Sequence, residues 1–408
     1  MIIMKTNRFG FVLILCFFVS FAVHAQSNEL RVFAKDRNAL TVNKKKLKSG
    51  NKDLLPAYAE LLKKADGLLN NHCPSVLEKK QNPPSGDMHD YMSIAIYYWP
   101  DPSKPDGLPY IRKDGEINPE VNDYKDKDNM KKVADYVEIL SLAYYFSDEP
   151  KYSKKAEEYI RTWFLDPSTK MNPNLNFAQA VKGKNDGRGI GIIESRILAG
   201  VADGVGLLHT SPTWTEKDQI GMEKWFEDFL QWLTTSKNGI EESKAKNNHG
   251  VWYDEQKLFF ALFANKTEIA LSTINNLKNR FELQMDSTGF FPDELARTIS
   301  LHYSAFILEP LFLAANMSDV AGVDLWNYES ANGKSLKKAF EALKPYLTKE
   351  KEWFAQQIKP FEFEDNATPL LAQGYYKYNC TDCKIAIYKI LSKDKSAISI
   401  YHLTTLID

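Results

Sequence analysis

KAKNNHGVWYDEQKLFFALF, Lys244–Phe263, begins with amide, imidazole and aromatic side chains and runs directly into a buried-helix pattern. From Val251 onward its apolar residues recur at three-to-four spacing, the period of one helix face. Asn247 and Asn248 suit a helix start, because their side-chain oxygens accept from the free N–H groups of a first turn. His249 then lies where the positive end of the helix dipole disfavours imidazolium. A neutral histidine at that position can act as a base or a hydrogen-bond partner. The triplet Asn70-Asn71-His72 repeats the same letters, so a capping Asn beside an incidental His is the plainer reading of the letters alone. What sets the later copy apart is Trp252 and Tyr253 directly after it.

The helical period of this stretch is repeated along the chain. Segments near 53–71, 129–147, 151–164, 189–208, 215–235, 266–284, 301–316, 335–347 and 384–392 carry it too. Strand-like alternation is scarce, and only SAISIYHLTT, Ser396–Thr405, reads as extended. No Pro/Gly/Ser-rich linker divides the helices, so residues 26–408 read as one all-α domain. A ring of helical hairpins, an α/α toroid or incomplete α/α barrel, buries every amphipathic stripe in a chain of 408 residues. The chain is 44% hydrophobic and 26% charged, the balance of a globular protein with a large core. Its net charge of −1 gives no field to recruit nucleic acid or an anionic membrane.

Residues 1–25 read as a secretory signal peptide: Lys5 and Arg8, an apolar run from Phe9 to Val23, then Val23-His24-Ala25 as a cleavage signature. The expected location is periplasmic or secreted. Cleavage there leaves Cys73, Cys380 and Cys383. In an oxidising compartment NCTDC could close a local disulfide or stay reduced, and a surface loop is the plainer reading. No two further ligands lie near it to make a zinc site.

One long segment resists the helical period. Asn82–Asn122, NPPSGDMHDYMSIAIYYWPDPSKPDGLPYIRKDGEINPEVN, is rich in proline and carries Tyr91, Tyr97, Tyr98, Trp99 and Tyr110. A loop of that length is functional or disordered, and its aromatic content argues for order. It is expected to form a wall or lid at one end of the ring, with Tyr98 and Trp99 stacking on sugar rings. Lys80 or Arg112 would hold a flanking carboxylate.

Two further clusters bear chemistry. In GFFPDELARTISLHYSAFILEPL, Gly289–Leu311, Arg297, His302 and Tyr303 lead into an apolar helix. Six residues on one helix put Arg297 and Tyr303 on different faces. They converge only if Arg297 sits on the loop before a helix that starts near Ser300. An Arg paired with Asp293 or Glu294 beside a core Tyr is the competing reading. In KGKNDGRGIGIIESRIL, Lys182–Leu198, the glycines match neither a dinucleotide fingerprint nor a P-loop, and no strand precedes them. Asn185, Arg188 and Glu194 could face a cleft, and the glycines could equally serve close packing.

Asn, His, Arg and Tyr with aromatic walls and no metal-ligand array suit β-elimination from a uronic-acid polymer. The C5 proton is weakly acidic until the neighbouring carboxylate is neutralised by fixed donors, and a base and an acid must then serve C5 and O4. The segments PPSGDMHDYMSIAIYYWPDPSKPDGLPYIRKDGEINPE, GRGIGIIESR, NNHGVWYDEQ and FPDELARTISLHY together resemble the alginate-lyase domain family, over Leu47 to Tyr376. That resemblance implies an α/α toroid, a secreted or periplasmic polysaccharide lyase, no cofactor, and catalytic roles for Asn248, His249, Arg297 and Tyr303. An anionic polysaccharide is the implied partner, with Lys80, Tyr98, Trp99, Arg112, Asn185, Arg188, Trp252 and Tyr253 as candidate substrate contacts. The chain departs from the alginate-specific members in the six-residue Arg297–Tyr303 interval, where they have seven. It also carries Phe306 where they have a further Tyr. Mannuronan, alginate and glucuronan therefore all stand as candidate substrates.

Stereochemistry sharpens the expectation. In β-linked mannuronate and glucuronate H5 and O4 are syn, so one side chain can serve as base and acid. Tyr303 would do so if Arg297 lowered its pKa from the phenol value near 10. In guluronate the two groups are anti, and His249 would act as base opposite Tyr303. The rival readings are a glycoside hydrolase using Asp254 with Glu294 or Glu194 with Asp293, and a non-catalytic glycan-binding protein with the aromatic loop as its platform.

Overall fold

Residues 30–391 and 398–405 are described by the computed structural model, so the expected signal peptide lies outside them. The described chain is dominated by helices. α1 (Arg37–Lys48) and α2 (Leu55–Leu68) come first, followed after the long loop by α3 (Lys125–Ser147) and α4 (Pro150–Ile160). Then come α5 (Leu198–Leu207), α6 (Glu216–Thr235), α7 (Lys237–Glu242), α8 (Asn248–Phe263) and α9 (Thr267–Gln284). The C-terminal part holds α10 (Pro292–Leu295), α11 (Ser300–Val320), α12 (Leu336–Leu347), α13 (Phe363–Tyr378), α14 (Thr381–Leu391) and α15 (Ile398–Thr404).

Neighbouring helices pair across short connections, α3 with α4, α8 with α9, and α13 with α14, and α11 packs on α12 across the longer segment 321–335. α15 returns to pack on α1 and α2, bringing the end of the chain to its beginning. Side chains of α3, α5, α8, α11, α13 and α15 line one interior cavity of about 370 Å³. No helix among the described residues is long and apolar enough to cross a membrane.

The caps follow the sequence. Asn247, not Asn248, is the N-cap of α8, and its side chain accepts from the His249 N–H at 3.2 Å. At the α6 start Thr215 and Asp218 exchange side-chain and backbone hydrogen bonds as a capping box. The expected extended segment at the C-terminus is a correction: α15 is helical over Ile398–Thr404. Its carbonyl end is satisfied by Asn43 on α1, whose Nδ2 donates to the carbonyls of His402, Leu403 and Thr405 at 3.0–3.1 Å. Tertiary packing here overrides a period-two pattern. Cys380 and Cys383 are joined in a disulfide at the start of α14, and both are buried, so the surface-loop reading does not hold.

The long loop is ordered by four short strands. β1 (Met92–Ile94) pairs in parallel with β4 (Phe177–Ala180), and β2 (Tyr98–Trp99) pairs antiparallel with β3 (Ile111–Arg112). Its root is pinned by a buried ion pair, Lys79 to Asp126 at 3.1 Å, and by the Met92 N–H donating to Asp126 at 3.0 Å. At its far end Lys359 Nζ donates to the Gly115 carbonyl at 2.7 Å, and Asp114 reaches Arg297 at 3.2 Å. The loop thereby lies against the segment that enters α11.

Candidate active site

α11 begins at Ser300, and Arg297 lies on the connection between α10 and α11. That connection is held by a neighbouring segment: Ser300 N–H donates to the Gln356 carbonyl at 3.0 Å, and Ile358 N–H to the Thr298 carbonyl at 2.9 Å. So fixed, Arg297 Nη2 donates to the Tyr303 hydroxyl at 2.7 Å, and its guanidinium lies 3.6 Å from the Tyr303 ring centroid. Asp114 is the carboxylate partner of Arg297, in place of Asp293 or Glu294.

From the opposite side the first turn of α8 brings in Asn248 and His249. Asn248 is fully buried. Its Nδ2 lies 3.0 and 2.9 Å from the two oxygens of Glu294, and its backbone N–H donates to Glu294 Oε1 at 2.6 Å. His249 Nδ1 is 2.7 Å from Oε1 of Glu242, a buried residue at the end of α7. A neutral His249 donating from Nδ1 keeps Nε2 free as an acceptor. Gly250 allows this turn to sit where it does. A Cβ there would meet the Ala245 carbonyl at 2.1 Å and Arg280 Nη1 at 2.2 Å. Arg280 clasps the same connection, donating to the Ala245 and Ser243 carbonyls at 2.8 and 3.1 Å while pairing with Asp254.

Asn248, His249, Arg297 and Tyr303 all line one cleft of about 380 Å³. The long loop supplies Ile96, Tyr97, Tyr98 and Arg112 to its wall. Arg188 contributes from the glycine-rich segment, stacked 5.0 Å over the Tyr98 ring and donating to Gln179. Arg112, Lys127, Arg188, Arg196 and Arg297 line the cleft with one carboxylate, Glu194, while Asp114 pairs with both Arg112 and Arg297. That imbalance suits a polyanion.

Burial, reinforced by Tyr97 beside it, holds the Tyr303 hydroxyl well above the ordinary phenol range, and Arg297 offsets only part of this. The expected lowering is thus corrected: in the empty cleft Tyr303 is a neutral phenol, because desolvation of a phenolate outweighs one guanidinium. Burial lowers the pKa of His302, which stacks on Phe306 at 6.0 Å and also lines the cleft.

Five expected substrate contacts stand elsewhere. Trp99 faces away from Tyr98, as adjacent strand residues must; its Nε1 donates to the Glu116 carbonyl at 3.0 Å and Lys113 covers its ring. Lys80 is exposed and off the cleft, whereas its neighbour Lys79 is the buried one. Asn185 is an exposed turn residue whose Oδ1 accepts from the Val181 N–H at 3.1 Å. Trp252 is buried against Phe306 and lines the interior cavity rather than the cleft. Tyr253 belongs to the core, its hydroxyl donating to the Leu233 carbonyl at 3.1 Å. Three of the four carboxylates weighed for a hydrolase are also committed, and the fourth, Asp293, is exposed and off the cleft. Asp254 pairs with Arg280, Glu294 holds Asn248, and Glu194 accepts from Tyr91 and Ser93 at 2.9 and 2.6 Å. Glu242, Asp114, Gln179, Lys127 and Arg196 are site residues that the sequence did not single out.

The alginate lyase family model matches residues 75–354. A crystal structure of an alginate lyase from Bacteroides ovatus is 35% identical, with a TM-score of 0.87 over 93% of this chain and 100% of that one. Alginate lyase A1-III from Sphingomonas species A1 is 17% identical, with a TM-score of 0.53 over 86% of this chain and 91% of that one. A histidine-to-alanine variant of A1-III complexed with a tetrasaccharide is 16% identical, with a TM-score of 0.56 over 93% and 97%. At those identities the two A1-III structures speak for the fold alone. No curated protein matches the sequence.

Proposed function

From the premise that the chain belongs to the alginate lyase family and is a polysaccharide lyase, we propose that it cleaves uronic-acid polymers, mannuronan, alginate or glucuronan, by metal-independent β-elimination. The observation that carries this reading is the meeting of Asn248, His249, Arg297 and Tyr303 in one strongly cationic cleft, with Arg297 in contact with the Tyr303 hydroxyl. Arg297 and Asn248 neutralise the C5 carboxylate, more strongly as it takes on enolate character. Arg112 and Arg188 hold carboxylates of flanking sugars, and Tyr98 offers its ring to one of them.

Tyr303, a neutral phenol in the empty cleft, is the acid that protonates O4 as the glycosidic bond breaks. For guluronate the base is His249, acting through Nε2 while Glu242 holds Nδ1. For mannuronate and glucuronate H5 and O4 share a face: Tyr303 first releases its phenol proton to solvent as substrate binds, the phenolate, stabilised by Arg297, takes H5, and the same hydroxyl then gives that proton to O4. Residues 1–25 and the Cys380–Cys383 disulfide support a periplasmic or secreted location.

The test is a product assay on mannuronan, guluronan, glucuronan and glycosaminoglycans. A lyase leaves a C4–C5 unsaturated uronate that absorbs in the ultraviolet. A hydrolase leaves saturated reducing ends, and a binding protein leaves the polymer intact; either result would overturn the reading.

A further inference from the structure

We infer that Glu294 is a positioning residue that works as a neutral carboxylic acid, donating its proton to Asn248 Oδ1 so that the Asn248 amide N–H groups face the substrate carboxylate. This rests on the proposed lyase reading and adds a residue to it. Two observations on opposite ends of one side chain carry it. With the amide oriented as described above, Nδ2 is spent on Glu294 at 2.9 and 3.0 Å. Meanwhile Oδ1 is buried with no donor in reach. Turning the amide through half a revolution, its N and O ends having nearly the same shape, brings Oδ1 onto the Glu294 carboxyl group and puts the amino group where Oδ1 stood, for a substrate carboxylate to meet. The turn requires Glu294 to carry a proton.

Glu294 is suited to carrying one. It is fully buried, and no lysine, arginine or histidine among the described residues lies within ion-pair distance of it. An ionised carboxylate in that setting is costly. Arg297, on the loop that follows α10, and His249, at the start of α8, are the charged or titratable groups that face it and favour its anion. Burial outweighs the Asn248 hydrogen bonds and both of these charges and raises its affinity for a proton. After the turn the Glu294 O–H donates to Oδ1, the Asn248 backbone N–H keeps its carboxyl oxygen, and both amide donors are released toward the cleft that Asn248 lines.

The test compares Glu294→Gln and Glu294→Ala with the wild type by difference infrared spectroscopy and by pH–rate profile. At neutral pH the wild-type-minus-Gln spectrum should contain the carbonyl band of a protonated carboxylic acid. Glu294→Gln, whose amide can still donate to Oδ1, should keep kcat within about fivefold. It should also lose the alkaline limb that the wild type shows as Glu294 ionises and draws Nδ2 back. Glu294→Ala should lose roughly 10²–10³ in kcat, the scale of one misaligned donor. A carboxylate band at neutral pH, or a Gln variant as impaired as the Ala variant, would overturn the inference. Should the Gln variant not fold, the Ala variant serves as the spectral reference. The infrared arm needs no turnover, so a wild type that forms no unsaturated product counts against the lyase reading while Glu294 is still judged.

Discussion

Replacing Asp126 with Ala isolates the interaction that roots the cleft wall. Lys79 Nζ lies 3.1 Å from Asp126 Oδ2, and the two side chains are 1% and 0% exposed. At an effective dielectric of about 20, two unit charges at that distance attract by roughly 5 kcal/mol. Burial opposes this on both sides: it pushes the Asp126 carboxyl up to about 6 and the Lys79 ammonium down. The pair therefore gives little net stability, yet breaking it is expensive. Asp126→Ala leaves a buried ammonium with only the Val76 and Met88 carbonyls, and the expected loss is about 3–5 kcal/mol. Urea unfolding at pH 7, followed by tryptophan fluorescence, should show that loss at an unchanged m-value. The folded pKa of Asp126 lies above its ordinary value of 3.8, so its contribution is complete below that value and is lost as pH rises through 6. The gap between wild type and Asp126→Ala should therefore widen as pH is lowered from 7 to 4, by up to about 3 kcal/mol. The double replacement Lys79→Met/Asp126→Leu should cost less than Asp126→Ala alone. A loss below about 1 kcal/mol at pH 7, or a gap that closes on acidification, would refute the reasoning.

Tyr98 and Trp99 should separate cleanly, since they lie on opposite faces of β2. Tyr98→Ala should raise KM with little change in melting temperature, whereas Trp99→Ala should lower the melting temperature and leave KM unchanged. Replacing Cys380 and Cys383 with Ser opens a ring of four residues, and chain entropy puts the cost near 2 kcal/mol in denaturant unfolding. The same shift should follow from reducing the wild type.

The helical period located ten helices because each buries one stripe against its neighbours, so sequence spacing and burial coincide. The Arg297–Tyr303 interval was informative for the same reason. Six residues cannot share a helix face, so convergence demanded a loop before Ser300, which is where α11 begins. Trp99 and Tyr98 were not separable, because a two-residue strand inside a proline-rich loop leaves no alternation to read. Glu242 escaped notice, and Glu294 was weighed only as an Arg297 partner or a hydrolase carboxylate, since their roles depend on partners from another element, His249 and Asn248 on α8. The pKa of Tyr303 was misjudged from sequence because an adjacent arginine is visible in the letters and the depth of burial is not. α15 looked extended because Asn43, which satisfies its carbonyls, lies some 360 residues earlier.

The claim on which the rest depends is that the Tyr303 hydroxyl delivers the proton to O4. Tyr303→Phe tests it directly, because the ring and its contact with Arg297 remain while only the oxygen is lost. The measurement is the initial rate of ultraviolet-absorbing product on mannuronan and on guluronan, for wild type and for a Tyr303→Phe protein shown to melt like it. The account predicts that the variant loses about 10²–10⁴ in rate on both polymers, the range for a missing general acid. A folded Tyr303→Phe enzyme within about tenfold of wild type on either polymer would contradict it.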